Sequence, residues 1–199
     1  MVLFAQFCFY LVFHLLFKAF FRAEVVGIEN IPTKPFILAP NHTAKIDPFL
    51  LCLLPFLAAK RLMPIYFLTT EDYYQRWYLH PVLKLLGCYP VAKSAWTLEQ
   101  FLSSSIGKLK KGKVIVFFPE GKIIRNNIKD KPRPGIGYLA EKSGKLILPL
   151  HIKWSGDSIF KSKKLTLSFG KPTLFQGKDS SLNSYEQEAE RIMGIIYSL

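Results

Sequence analysis

Five large apolar residues stand in a row at Val114-Ile115-Val116-Phe117-Phe118, between Lys113 and Pro119. No polar side chain interrupts them, so a strand built here has neither face in water. Such strands belong to sheets covered on both sides, mostly parallel ones. The flanking sequence agrees. Short apolar runs at Glu24–Gly27, Phe36–Ala39, Leu62–Leu68, Gly87–Val91, Leu146–Ile152 and Lys164–Phe169 read as strands. They alternate with helical periods at Asp47 to about Leu57, about Tyr73 to Leu86 with a break at Pro81, and Pro134–Lys142. Ser94 is placed to cap a helix that puts Leu98, Leu102, Ile106 and Leu109 on one face. Asn183-Ser184-Tyr185-Glu186 resembles a capping box before a helix with Tyr185, Ala189, Ile192, Met193 and Ile196 on one face. The expected fold is α/β, a mixed, largely parallel sheet flanked by helices, with an apolar membrane-associating helix at the N-terminus.

That N-terminal segment, Val2 to Phe21, is rich in Leu and Phe, and Gln6, His14 and Lys18 are its strongly polar residues. Its length is marginal for a bilayer span, which takes about 20 apolar residues. It lacks a basic n-region and a small-residue cleavage site, so a cleaved signal peptide is not expected. Lys18 near its end and Arg22 just after it place the rest of the chain on the cytoplasmic face if the segment spans. Shallow, monotopic attachment is favoured over a full span, and a buried core helix is the alternative. The expected organisation is residues 1–22 as the membrane-associating helix and 23–199 as one catalytic domain.

The formal charge is +13. Such a surplus favours an anionic partner, and beside the apolar N-terminus it points to a membrane surface. No nucleic-acid-binding motif is present, so nucleic acid is not an expected partner. Cys8, Cys52 and Cys88 form neither a disulfide framework nor a zinc pattern and read as buried thiols. No metal is expected.

Two polar stretches follow strand candidates. Asn41-His42-Thr43-Ala44-Lys45-Ile46-Asp47 follows Phe36–Ala39 and precedes Pro48. On one regular helix, His42 and Asp47 would diverge by roughly 140° at 3.6 residues per turn. At a sharp turn they can pair as a general base and its orienting carboxylate. Phe118-Pro119-Glu120-Gly121-Lys122 ends the buried strand, a favoured ligand position in α/β sheets. Glu120 can accept bonds from substrate hydroxyls, Gly121 permits close backbone approach, and Lys122, Arg125 and Arg133 can hold a phosphate. Lys93 lies just beyond the Gly87–Val91 strand.

Together these segments resemble the glycerolipid acyltransferase family typified by 1-acylglycerol-3-phosphate acyltransferases. The resemblance runs from about Val25 to Gly170. It rests on an NHxxxxD box at Asn41–Asp47, an FPEG box at Phe118–Gly121, a middle box at Gly87–Lys93, and a strand with a central proline at Leu146–Leu150. It implies a membrane-associated enzyme of phospholipid biosynthesis. That enzyme moves a fatty acyl group from acyl-CoA or acyl-acyl carrier protein to the sn-2 hydroxyl of a lysophospholipid acceptor, 1-acylglycerol-3-phosphate, giving phosphatidic acid. His42 and Asp47 are the implied catalytic pair. Asn41, Lys93, Glu120, Gly121, Lys122 and Arg125 are the implied substrate-binding residues. Beyond the acyl-donor substrate no cofactor is implied. His14, His80 and His151 lack a paired carboxylate and read as structural.

Two departures bear on the acceptor. Lys93 stands where the family usually has Arg, and Glu120-Gly121 is followed by Lys122-Ile123-Ile124-Arg125. Lysine is a point charge where arginine binds phosphate bidentately. Another lysophospholipid or lipid alcohol is therefore an alternative acceptor. A non-catalytic basic membrane- or nucleic-acid-binding protein is a more distant reading.

Overall fold

The computed structural model describes residues 1–33, 35–91, 97–124, 131–155 and 163–199. Seven strands form one sheet: β1 (Phe21–Val26), β2 (Phe36–Pro40), β3 (Ile65–Thr70), β4 (Cys88–Val91), β5 (Val114–Val116), β6 (Leu146–Ser155) and β7 (Lys163–Phe169). Their order is β1-β7-β6-β2-β5-β3-β4. Every neighbouring pair is parallel except β6 and β7, which run antiparallel. The sheet is thus mixed and largely parallel, as the sequence leads one to expect.

Period-two alternation divides the core between the two faces. Phe36 and Leu38 of β2, Val114 and Val116 of β5, and Leu148 and Leu150 of β6 face one cluster. That cluster is covered by α1 (Val2–Phe20), a 3₁₀ segment (Asp47–Leu53) and α2 (Phe56–Leu62). Ile37, Ile115 and Ile147 face the other, beneath α5 (Leu98–Lys110), α6 (Gly135–Ser143) and α7 (Leu182–Ser198). The short helices α3 (Glu71–Tyr74) and α4 (His80–Leu85) join β3 to β4.

Several boundaries differ from the sequence reading for local reasons. The helix expected from Asp47 to Leu57 is two pieces. Pro55 biases Leu54 out of the helical region, and Leu54 is extended at φ −63°, ψ 148°. The strand expected from Leu62 begins at Ile65, because Leu62 closes α2 and Pro64 intervenes. Pro81 sits in the first turn of α4, which begins at His80, rather than breaking a longer helix, since that turn has no use for its missing N–H. The C-terminal helix is capped by Ser181, whose hydroxyl accepts from Ser184 N–H at 3.2 Å, two residues before the expected box. Thr97 caps α5, accepting from Gln100 N–H at 3.2 Å, and Ser94 lies outside the described residues.

Helix α1 is long and apolar enough to cross a bilayer by length and composition, yet it is fastened to the fold by its polar side chains. Gln6 donates to Ile65 O and Leu86 O at 2.6 and 2.9 Å and accepts from Ile65 N–H at 3.1 Å. Tyr10 donates to Leu54 O at 2.9 Å, and His14 Nδ1 reaches Cys52 O at 2.7 Å. These three residues recur every fourth position and so share one face. Leu3, Phe4, Val12, Leu15 and Phe20 are left exposed on the others. Cys8 lies outside that polar stripe and is exposed, contrary to the expectation that all three thiols are buried. Cys52 is buried and Cys88 half-buried.

Candidate active site

The carboxyl ends of the adjacent strands β2 and β5 release the two polar stretches side by side. Asn41 comes first. Its Nδ2 donates to Ile152 O at 3.0 Å and its Oδ1 accepts from Ile152 N–H at 2.6 Å. The buried amide acts as one further rung between β2 and β6, and the chain can turn only after it. Asn41 thus fixes the origin of the turn.

Asp47 closes the turn. Its Oδ2 accepts from Thr43 N–H at 2.6 Å, Ala44 N–H at 2.8 Å and His42 Nδ1 at 2.9 Å. A carboxylate only accepts, so Nδ1 carries the proton and Nε2 the lone pair. The outer nitrogen is therefore the basic one. Thr43 Oγ1 bridges Trp154 Nε1 (3.0 Å) to Asp47 Oδ1 (3.3 Å). Phe118 stacks on the imidazole, with centroids 4.1 Å apart and planes inclined 25°.

The second stretch clamps the backbone of the first. His42 N–H donates to Glu120 Oε2 at 2.5 Å, and His42 O accepts from Ile124 N–H at 2.8 Å. The other Glu120 oxygen accepts from Tyr197 O–H at 2.5 Å. Burial raises the Glu120 carboxyl above the ordinary glutamate range, and the bonds from Tyr197 and His42 oppose that rise. Gly121 takes φ +68°, and a Cβ there would sit 2.9 Å from Arg133 Cγ. Arg133 is exposed beside it, and Lys122 is exposed on the same turn. Lys93 and Arg125 lie outside the described residues.

Of the residues expected to touch substrate, Asn41 and Glu120 are turned inward and hold the turn, while Lys122 faces outward. Trp154 and Tyr197 escape a sequence reading altogether. They lie 111 and 77 positions along the chain from Thr43 and Glu120, to which they are hydrogen-bonded. Local patterns carry no signal for such long-range partners. The other histidines have structural roles: His14 meets Cys52 O, His80 Nδ1 meets Tyr74 O at 3.1 Å, and the His151 ring packs edge-on to Tyr197.

Directly after Asp47, Pro48 and Phe49 form part of the wall of an apolar cavity of about 210 Å³. It lies between α1, the 3₁₀ segment and β3, and Phe9, Leu51, Phe67 and Leu83 are among its lining. Burial pushes the two thiols in its wall up, Cys52 to about 12 and Cys88 to about 11. Neither supplies a thiolate nucleophile near neutral pH. Among the described residues no cluster of metal-ligating side chains occurs. The turn that holds the lone-pair nitrogen thus runs directly into the segment that walls the cavity, and among the described residues no Ser or Cys hydrogen-bonds to the imidazole.

The acyltransferase family model matches residues 22–153. A probable 1-acyl-sn-glycerol-3-phosphate acyltransferase of Mycoplasma pneumoniae is 23% identical over 145 residues, covering 72% of this chain and 54% of that protein. The chain thus spans about half the length of this curated relative. The crystal structure of the 1-acyl-sn-glycerophosphate (LPA) acyltransferase PlsC from Thermotoga maritima superposes with a TM-score of 0.65. It is 20% identical, with 92% of this chain and 73% of that one covered. The shared architecture is the α/β sheet described above.

Proposed function

Because the chain belongs to the acyltransferase family, we propose that it transfers a fatty acyl group from a thioester, acyl-CoA or acyl-acyl carrier protein, to the sn-2 hydroxyl of 1-acylglycerol-3-phosphate, yielding phosphatidic acid. The observation that carries this reading is the His42–Asp47 pair at 2.9 Å, on a turn whose next residues, Pro48 and Phe49, line the apolar cavity. His42 Nε2 removes the acceptor hydroxyl proton as the oxygen attacks the thioester carbonyl. The C–O bond forms, the tetrahedral intermediate collapses, and the C–S bond breaks. The imidazolium then returns its proton to the departing thiolate. Asp47 holds the ring in the required tautomer and stabilises its charged form. The acceptor is itself the nucleophile, so no acyl-enzyme forms.

The acceptor assignment draws on the name of the Mycoplasma relative and on the exposed cations beside Glu120. Lysine rather than arginine at position 93, and Lys122 directly after Gly121, favour a second reading, transfer to a different lysophospholipid or lipid alcohol. The cavity takes the acyl chain.

The reaction belongs at a membrane surface, on the cytoplasmic face. Gln6, Tyr10 and His14 tie α1 to the fold along three turns, so a spanning α1 would drag the sheet's covering layer into the bilayer. Lying in one leaflet, α1 presents its exposed Leu and Phe side chains to lipid, and Lys18 snorkels to the headgroups. Exposed Phe56, which contacts Phe7, and Leu57 of α2 extend that apolar surface.

The test is thiol release from a long-chain acyl-CoA and from an acyl-carrier-protein thioester, in liposomes, with a panel of lysophospholipids. Release that needs lysophosphatidic acid and is lost in His42→Ala supports the proposal. His42-dependent release with another acceptor alone selects the second reading. Wild-type-like turnover in His42→Ala refutes the mechanism.

A further inference from the structure

We propose that Tyr197, in the last turn of α7, is a positioning residue that holds Glu120 in the form that fixes the backbone of His42. The proposal rests on the reading of His42 as the base. Helix α7 lies beyond residues 22–153, the part matched by the family model, so this brace is contributed by a different region of the chain.

Glu120 offers two oxygens, and each has one donor. Oε2 takes the N–H of His42 and Oε1 takes the hydroxyl of Tyr197, both at 2.5 Å. The carboxylate is buried at the foot of a recess it shares with Tyr197, so losing a protein partner costs it much of its solvation. Tyr197 is anchored in turn. Its ring meets the His151 ring of β6 edge-on at 5.7 Å, and its neighbours Ile192 and Ile196 are fully buried on the sheet. A rigid path therefore runs from the C-terminal helix through Glu120 to the main chain of the base.

The protonation state of Glu120 decides whether that path holds. Ionised, it accepts from both donors. Protonated, one oxygen becomes a hydroxyl that must donate, and it faces the donor groups His42 N–H and Tyr197 O–H. The groups facing Glu120 come from every side. Asp47 on the turn opposes its ionisation and the His42 ring favours it. Glu190 of α7 lines the same recess, His151 packs behind Tyr197, and Arg133 crosses Gly121. Against burial, the Tyr197 hydroxyl is the larger of the two hydrogen-bonding supports of the ionised form. Without it, Glu120 takes up a proton at higher pH, and the acid limb of activity moves upward.

Tyr197→Phe removes one oxygen and keeps the ring. The expected loss in kcat/KM grows as pH falls, to about tenfold or more at the foot of the acid limb, the value of one hydrogen bond to a charged acceptor, and is no more than about twofold on the alkaline plateau. In a Glu120→Gln background the same substitution should produce no pH-dependent change, because no carboxylate is left to stabilise. A loss of equal size at every pH, or none, overturns the proposal and leaves Tyr197 a packing residue.

A readout independent of turnover accompanies this. The infrared band of the protonated Glu120 carboxyl, identified by its absence in Glu120→Gln, should appear at higher pH in Tyr197→Phe than in the wild type. An unmoved band overturns the brace even if activity falls. A moved band in a protein that transfers no acyl group from any thioester upholds the brace and rejects the catalytic reading instead.

Discussion

Replacing Asp47 with asparagine separates the structural and chemical duties of its carboxylate. Asparagine can place its carbonyl oxygen where Oδ2 now sits. It would then keep the bonds from Thr43 N–H, Ala44 N–H and His42 Nδ1, with its amide toward Thr43 Oγ1. What disappears is the charge. Bonds to a charged acceptor contribute about 1.5–3 kcal/mol and neutral ones about 0.5–1.5, a difference of at least about 1 kcal/mol each, so the three bonds together lose about 3–4.5 kcal/mol. Asp47 is only 1% exposed, and burying a neutral amide is cheaper than burying a carboxylate, which makes that figure an upper bound. For a chain of this size, it corresponds to a fall in Tm of up to about 18 °C. The protein should therefore stay folded at 25 °C. Turnover should not survive in proportion, because the imidazolium formed as His42 takes the proton has lost its counter-charge. A drop in kcat of about 10²- to 10⁴-fold is expected. Differential scanning fluorimetry and thiol release on the same preparation measure both effects. Asp47→Ala adds a control: it strands two backbone N–H groups and should cost a further 2–6 kcal/mol or so. If Asp47→Asn melts lower as expected yet keeps kcat within about threefold of wild type, Asp47 is only a turn-closing residue and the base mechanism fails.

Asn41→Ala leaves the N–H and C=O of Ile152 without their side-chain partner, a loss of about 2–6 kcal/mol that a urea titration should register as a lower midpoint with unchanged slope. Cys52→Phe projects a ring into the cavity wall and should shift donor preference toward shorter acyl chains. Each methylene that no longer fits costs about 0.8 kcal/mol, roughly fourfold in kcat/KM, in a competition among acyl-CoA chain lengths. An unchanged preference would separate the cavity from the acyl chain.

The architecture was legible wherever one residue pattern met one local rule. The unbroken run at Val114–Phe118 marked a strand covered on both faces, and β5 sits inside the sheet between β2 and β3. The two polar boxes were legible because each follows such a strand directly, and parallel neighbours release their loops on the same edge. Hidden from sequence was whatever depends on distant segments meeting. The antiparallel return of β7 on β6 is one case. The inward turn of Glu120 is another: its carboxylate reads as a free ligand until His42 N–H and Tyr197 O–H are seen beside it. The polar residues of the N-terminal segment misled in a third way. Gln6, Tyr10 and His14 look like blemishes in a lipid-facing helix, but they are its contacts with the protein.

That third case bears on how this protein can be handled. An anchor that merely tethers can be cut away to leave a soluble remainder. Here, excision would uncover the backbone groups of Ile65 and Leu54 and open one side of the cavity. A truncated protein that loses activity would thus reveal nothing about lipid attachment. The informative alteration is to repaint the helix, exchanging outward residues such as Leu3, Val12 and Leu15 for charged ones while keeping Gln6, Tyr10 and His14. Such a variant asks whether the chemistry needs the bilayer or only the helix.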